Sequence, residues 1–282
     1  ERKGSKNKIS NGTEEPKRKG SEVRDEVESF GISPVVTQKL KERGITSLFD
    51  VQKQVFFPIF NGENTICASL TGSGKTLGFI LPIIERCEKK GRFTHTDPCV
   101  LVLAPTRELA IQIGNEFKTL SGKTPNDPFY YKVATVYGGE SIDNQIYALR
   151  KGCDIVVGTP GRVTDMINRG EIKLGSIKIG VLDEADRMLD LGFEKDIVDI
   201  YNWIYKESSK LQVALFSATI QPWVLTTAKK IMGGKEHTFV NLVKDLKGKC
   251  AVGVSHLALN CLRSEKVTAI ADLSKLKLYI LI

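Results

Sequence analysis

With 282 residues, 41% of them hydrophobic and 26% charged, the chain is long enough for one large α/β domain plus flanking segments and too apolar to be disordered throughout. Its net charge of +8 sits at the ends: residues 1–20 carry seven Lys/Arg against three Glu, residues 241–282 carry seven against three Asp/Glu, and the stretch between balances 27 against 27, so composition alone does not make the core a polyanion binder. Six cysteines without paired short spacing and only three histidines speak against a zinc site; free thiols fit an intracellular, reducing compartment, and no stretch reads as a signal peptide or a membrane-length apolar run.

In chain order, residues 1–20 are rich in Lys, Gly, Ser, Asn and Glu with Ile9 as their one aliphatic side chain, and a disordered basic tail is expected there. Ser33-Pro34 predicts a helix start, a cap followed by proline in the first turn, and Gly44 predicts its end. A second helix is expected over Asp50 to Phe60. Short β-branched or aliphatic runs follow at Asn64–Ala68, Val100–Ala104, Val133–Val136, Ile155–Val157, Ile177–Leu182 and Val213–Phe216, separated by helix-like segments. That alternation predicts a three-layer, doubly wound parallel sheet, closed by Thr238–Val240, so that one domain occupies residues 21–240. Lysines and glycines in residues 242–249 suggest a linker. Val254–Leu259 then reads as a strand, Ser264–Leu273 as a helix, and the apolar end Leu278–Ile282 as the start of a second domain cut short. No internal repeat is present. Trp203 and Trp223 read as helix-face core residues, and Met188 and Phe193 likewise read as structural side chains.

The chemistry concentrates in two places. Ser69-Leu70-Thr71-Gly72-Ser73-Gly74-Lys75-Thr76 fits a phosphate-cradling loop, apart from Ser69 where the pattern has glycine. Glycines let backbone N–H groups turn toward phosphate oxygens, Lys75 reaches the β and γ phosphates, and the Thr76 hydroxyl suits Mg²⁺ at a helix N-terminus. Ile179-Gly180-Val181-Leu182 is suited to a strand buried on both faces, which puts Asp183-Glu184-Ala185-Asp186 at the carboxyl edge of the sheet, where ligands bind. Phosphoryl transfer to water needs Mg²⁺ across the β and γ oxygens and a positioned water. Asp183 suits the metal, partly through water, and Glu184 suits the water. An ATPase using ATP and Mg²⁺ is therefore expected, with Lys75, Asp183 and Glu184 meeting in one crevice.

The acidic tetrad makes the chain resemble the DEAD-box RNA helicases, and further motifs fall in that family's order: Ala104-Pro105-Thr106-Arg107-Glu108-Leu109-Ala110, Gly138-Gly139, Thr159-Pro160-Gly161-Arg162 and Ser217-Ala218-Thr219. Phe216–Met232, Ala251–Leu259 and Leu48-Phe49 most resemble the Gu-type nucleolar branch, which implies a nuclear or nucleolar address. The resemblance implies a RecA-like P-loop NTPase fold for the first of two such domains. It also implies RNA as partner, gripped without regard to sequence by Pro105, Thr106, Arg107, Gly138, Gly139, Thr159, Pro160, Gly161 and Arg162. The chemistry suits that role, because arginines fork onto phosphates and such contacts ignore base identity. The scarcity of aromatics among these motifs speaks against stacking of the kind single-strand-binding proteins use.

By the same resemblance Gln52, 23 residues before Lys75, reads the adenine ring with its amide, and Thr71, Gly72, Ser73, Gly74, Lys75 and Thr76 hold the phosphates. Ser217 and Thr219 bond Asp186 and couple the ATP state to RNA grip. The family's upstream aromatic falls at Val27, with Phe30 one helical turn later, which leaves the adenine-stacking side chain open. The second domain, beyond this chain, supplies in the family an arginine for the transferring phosphoryl group and the other wall of the RNA channel. The expected activity is ATP-dependent RNA unwinding or ribonucleoprotein remodelling. An ATP-gated RNA clamp or scaffold, and a P-loop ATPase acting on DNA or protein, stand as rivals; protein partners are not legible.

Overall fold

The computed structural model describes residues 27–208, 210–243 and 261–275. The expected tail of residues 1–20, the strand at Val254–Leu259 and the apolar end Leu278–Ile282 lie outside the described residues, as do residues 244–249 of the expected linker. The chain divides into two compact units, Glu1–Leu242 and Val243–Ile282.

Seven strands form the first unit's sheet: β1 (Asn64–Ala68), β2 (Val100–Leu103), β3 (Val133–Val136), β4 (Ile155–Gly158), β5 (Ile179–Leu182), β6 (Gln212–Ser217) and β7 (His237–Asn241). The helices before and between them are α1 (Pro34–Glu42), α2 (Asp50–Asn61), α3 (Lys75–Lys89), α4 (Arg107–Leu120), α5 (Ile142–Arg150), α6 (Pro160–Asn168), α7 (Ala185–Asp190), α8 (Glu194–Glu207) and α9 (Pro222–Ile231). The strands run in the order β3-β4-β2-β5-β6-β1-β7, and every pairing is parallel. The expected doubly wound sheet is thus observed. Strand limits shift by a residue or two: β5 begins at Ile179 because Ile177 is held in a turn by its N–H to Leu174 O, 3.0 Å.

Side-chain alternation builds the three layers. Val100, Val102, Ile155, Val157, Ile179, Val181, Ala214 and Phe216 face the core under α1–α4, with Phe56, Phe79, Ile83 and Phe117. Leu101, Leu103, Val156, Leu182, Val213 and Leu215 face the core under α5–α9, with Met166, Ile197, Tyr201 and Val224. Strands apolar on both faces are what a sheet covered by helices on each side requires. The start of α1 follows its sequence signals, with Ser33 Oγ accepting from Val36 N at 3.4 Å and Pro34 in the first turn.

One expectation fails. Trp223 is not a core residue: it stands 39% exposed in the first turn of α9, since that helix buries Val224, Thr227, Ala228 and Ile231 instead. Trp203 and Phe193 are half-buried against the core and Met188 is fully buried. In the second unit a 3-10 turn at Arg263–Glu265 leads into α10 (Lys266–Lys275), close to the helix expected at Ser264–Leu273. No helix among the described residues is long and apolar enough to cross a membrane.

Candidate nucleotide and nucleic-acid site

Register decides where the motifs meet. Ala68 is level with Ser217, Leu182 with Leu215 and Leu103, Leu103 with Gly158, and Gly158 with Val136. The ladder continues one step beyond the strands through Ser69 N to Ser217 O at 3.0 Å, Asp183 N to Leu103 O at 3.0 Å and Thr159 N to Val136 O at 3.1 Å. All six motifs therefore leave the sheet along its carboxyl edge, where parallel α/β folds place their ligands.

Lys75, Thr76, Asp183 and Glu184 line one cleft of about 390 Å³ with Thr71, Gly72 and Gly74. The Lys75 ammonium donates to Ser69 O at 2.8 Å and Leu70 O at 3.2 Å, so it closes the loop on itself and must leave those carbonyls to reach a phosphate. Ser73 Oγ donates to Leu70 O at 2.8 Å, and the Ser69 and Ser73 hydroxyls bond one another. Ser69 thus adds an internal tie where the loop pattern has glycine. Gly74 takes φ +85° at the N-terminus of α3, where a Cβ would lie 2.6 Å from Gln52 Nε2 and 2.7 Å from Phe49 Cδ2. Only glycine fits that close approach.

Asp183 is buried beside Lys75, and its carboxyl is pushed up to about 6, chiefly by burial and further by the charge of Glu184, against the opposing pull of the Lys75 ammonium. Glu184 N donates to Asp183 Oδ1 at 3.0 Å. The cleft thus combines a cation, a hydroxyl and a buried carboxylate that gains from a nearby cation. These are the donors expected of a site for Mg²⁺. Among the described residues no group of three or more His, Cys, Asp or Glu side chains gathers to hold a metal without such added donors.

Gln52 is buried. Its Oε1 accepts from Phe49 N at 2.8 Å and its Nε2 donates to Gly74 O at 2.9 Å. An amide oxygen has two lone pairs and an amide nitrogen two N–H groups, so one acceptor and one donor position remain. Phe30, the aromatic left open as a stacking surface, packs instead against Phe56 at 5.6 Å and Phe57 at 5.8 Å between ring centroids. Val27 is buried in the core.

Farther along the edge, Arg107 lies 5.0 Å over the Tyr137 ring and donates to Gly139 O at 3.4 Å. Arg162 donates to Gln145 Oε1 at 3.1 Å and to Glu140 O at 3.4 Å. Gln145 in turn braces Tyr137 through both backbone groups, at 3.1 and 3.0 Å. The two guanidinium groups and Gly138-Gly139 therefore share one braced surface. Thr159 and Gly161, in the first turn of α6, lie on the same edge. Three predicted contacts are different in kind. Pro105 and Pro160 are buried, and the Thr106 hydroxyl caps α4 by accepting from Leu109 N at 3.3 Å, which leaves its O–H available to donate.

Between the two regions, Asp186 Oδ2 accepts from both Thr219 N and Thr219 Oγ1 at 2.9 Å. Ser217 departs from expectation: its hydroxyl donates to Thr219 O at 2.7 Å and does not reach Asp186, because Ser217 still belongs to β6 and is fully buried.

Sequence reasoning missed Phe49 and the cleft wall supplied by α4. Phe49 stands 62% exposed beside Gln52. Leu109, Gln112 and Glu116 complete the cleft, and Arg43 grips Glu116 at 2.6 and 3.2 Å. Their spacing of three and four residues was the available signal, since it puts all three on one face of α4.

Known proteins supply an independent comparison. The DEAD/DEAH box helicase family matches residues 49–227. The chain is 42% identical over 248 residues to "ATP-dependent RNA helicase DDX50" of Mus musculus, covering 86% of this chain and 33% of that protein. It is 36% identical over 268 residues to "Nucleolar RNA helicase 2-B" of Xenopus laevis, covering 92% and 32%. A DEAD box protein from the hyperthermophile Methanococcus jannaschii has a crystal structure that matches with a TM-score of 0.68 at 34% identity, covering 89% of this chain and 63% of that one. The chain spans about a third of the length of those curated relatives.

Proposed function

Because the chain belongs to the DEAD/DEAH box helicase family, we propose that it is the ATP-binding half of an ATP-dependent RNA helicase whose hydrolysis is coupled to local RNA remodelling. The observation that carries this reading is the meeting of Lys75, Thr76, Asp183 and Glu184 in one cleft, on the edge that also bears Arg107 and Arg162. The loop amides and Lys75 bind the phosphates. Glu184 orients the attacking water, and Asp183 and Thr76 would hold Mg²⁺, in part through water, since that ion keeps much of its hydration shell. When bound, that ion neutralises charge on the β and γ oxygens.

Gln52 reads adenine through the donor and acceptor positions it retains, a pair that matches adenine and mismatches guanine. The exposed Phe49 ring offers the base an apolar face that Phe30 does not. Arg107, Arg162, Thr159 and the amides of Gly138, Gly139 and Gly161 hold the sugar-phosphate backbone of one RNA strand. The bond of Asp186 to Thr219 ties the metal-side tetrad to β6 and transmits the nucleotide state. The similar proteins, one a nucleolar RNA helicase and one an ATP-dependent RNA helicase by name, support RNA as substrate and a nucleolar address.

In the full-length protein, Lys75→Ala and Glu184→Gln should each lower RNA-stimulated ATP turnover about a hundredfold or more, while Glu184→Gln retains ATP-dependent RNA binding. Turnover within a few-fold of the parent in either variant would remove the assignment.

A further inference from the structure

A second cavity, about 560 Å³, opens at the opposite edge of the sheet, where Cys99, Lys178 and Lys210 lead into β2, β5 and β6. None of its lining residues belongs to the motifs described above. We propose that it binds the phosphate group of a small phosphomonoester, or inorganic phosphate, with Arg92 and Lys178 as the principal donors.

Four observations point there. Arg92 Nη1 is buried and has no hydrogen-bond partner, although a buried guanidinium N–H without an acceptor is costly and rare. Arg92 also lines the cavity, and a guanidinium fork matches phosphate oxygens. Next, the Lys178 ammonium is pinned by Gly175 O and Ser208 Oγ, each at 2.9 Å. Two of its three N–H groups are thereby used and one remains. Arg86 lies near enough that the Arg92 charge, after burial, holds its guanidinium below the usual arginine range; a dianion beside Arg92 offsets that repulsion.

The charge of the wall is the fourth observation. Asp97 is neutralised by Lys173 at 3.2 Å, which leaves Glu207 as the unbalanced carboxylate against Arg92, Lys178 and the exposed Lys210 at the rim. Three cations outweigh one carboxylate for a single phosphate. An extended polyanion gains less, because Glu207 repels each further phosphate laid along the cavity. The ligand is therefore small rather than a nucleic-acid strand.

The test is titration of inorganic phosphate and of ribose 5-phosphate into the chain, followed by backbone amide chemical shifts, with a single-stranded oligoribonucleotide as a separate arm. Saturable shifts at Gly175, Ser176 and Lys178 are expected, with affinity about tenfold weaker in Arg92→Gln. Lys210→Glu, at an exposed position that does not bear on folding, should weaken binding severalfold while shifts on adding ADP stay unchanged. Shifts confined to Gly72, Gly74 and Lys75 would show phosphate on the nucleotide loop only and overturn the proposal. So would binding undiminished in both variants, or a response at the cavity to the oligoribonucleotide but not to phosphate. ADP shifts at the loop report on nucleotide binding separately, so loss of one reading is distinguishable from loss of the other.

Discussion

Glu184 holds φ +52° and ψ 50°, a left-handed conformation that costs a non-glycine residue roughly 1–3 kcal/mol and that clusters at functional sites. Its neighbour stores a different cost. Asp183 has its carboxyl raised from 3.8 to about 6, mainly by burial, so the folded chain holds a proton that the unfolded chain has released. The stabilisation is full below about pH 4, falls as pH rises, and is lost above about 6, a difference on the order of 3 kcal/mol. Without nucleotide or Mg²⁺, the unfolding free energy of the chain should therefore drop between pH 4 and 6 more steeply than that of Asp183→Asn, measured by urea titration at each pH. Equal slopes would mean that burial does not govern this carboxyl. Ionised, the same group is what a metal ion requires, so metal-assisted nucleotide binding should strengthen over the same interval. The types and spacing of Lys75, Asp183 and Glu184 were legible from the sequence because their chemistry is tied to a short local pattern. The second bonds of Gln52 and the inward turn of the Ser217 hydroxyl were not, because they depend on which neighbouring loop comes within 3 Å.

At the scale of elements, β5 reaches its place only because residue 180 is glycine. A Cβ there would lie 2.6 Å from Tyr201 Oη and 2.8 Å from Tyr201 Cε1, and Tyr201, on α8, is fully buried with a hydroxyl that has no partner. Gly180→Ala should destabilise the chain by about 1–3 kcal/mol through overpacking. Tyr201→Phe removes an unsatisfied buried hydroxyl and should be neutral or stabilising, and in the double variant it should recover part of the Gly180→Ala loss. Additive losses in that cycle, followed by denaturant unfolding, would show that ring and strand are not in contact. The periodicity of β2, β4, β5 and β6 was readable because a strand covered on both faces must be apolar at every position. Helix α1 was readable from Ser33 and Pro34. The order β3-β4-β2-β5-β6-β1-β7 was not, since strand neighbours are chosen by long-range packing that leaves no local signature. Trp223 shows the same limit: its helix was foreseeable, while the face turned to the core depends on where α9 meets α7 and α8.

Across the whole molecule, one sheet edge carries both the phosphate loop and the arginines proposed for RNA, and in the proposed helicase its described residues supply one wall of that site. That wall has Lys75 for the proposed phosphate contacts, Asp183 and Glu184 for the proposed metal and water, and Arg107 and Arg162 braced toward Gly139, Glu140 and Gln145. Among the described residues lining the cleft none is an arginine, so these supply no guanidinium to stabilise charge on a transferring phosphoryl group. Where such an arginine arrives from another domain it contributes about 10³ to 10⁵ in rate. The relatives are about three times as long as this chain, which leaves room for that domain. The 282-residue chain should therefore bind ADP and ATP while its RNA-stimulated turnover falls at least about 10³-fold below that of the full-length protein under the same salt and magnesium. Nucleotide binding by calorimetry and phosphate release with and without RNA measure the two quantities separately. Binding with negligible release places the missing charge outside this chain. Release at the full-length rate would mean that Lys75, Asp183 and Glu184 complete the chemistry unaided, and the two-wall reading of the edge would fall.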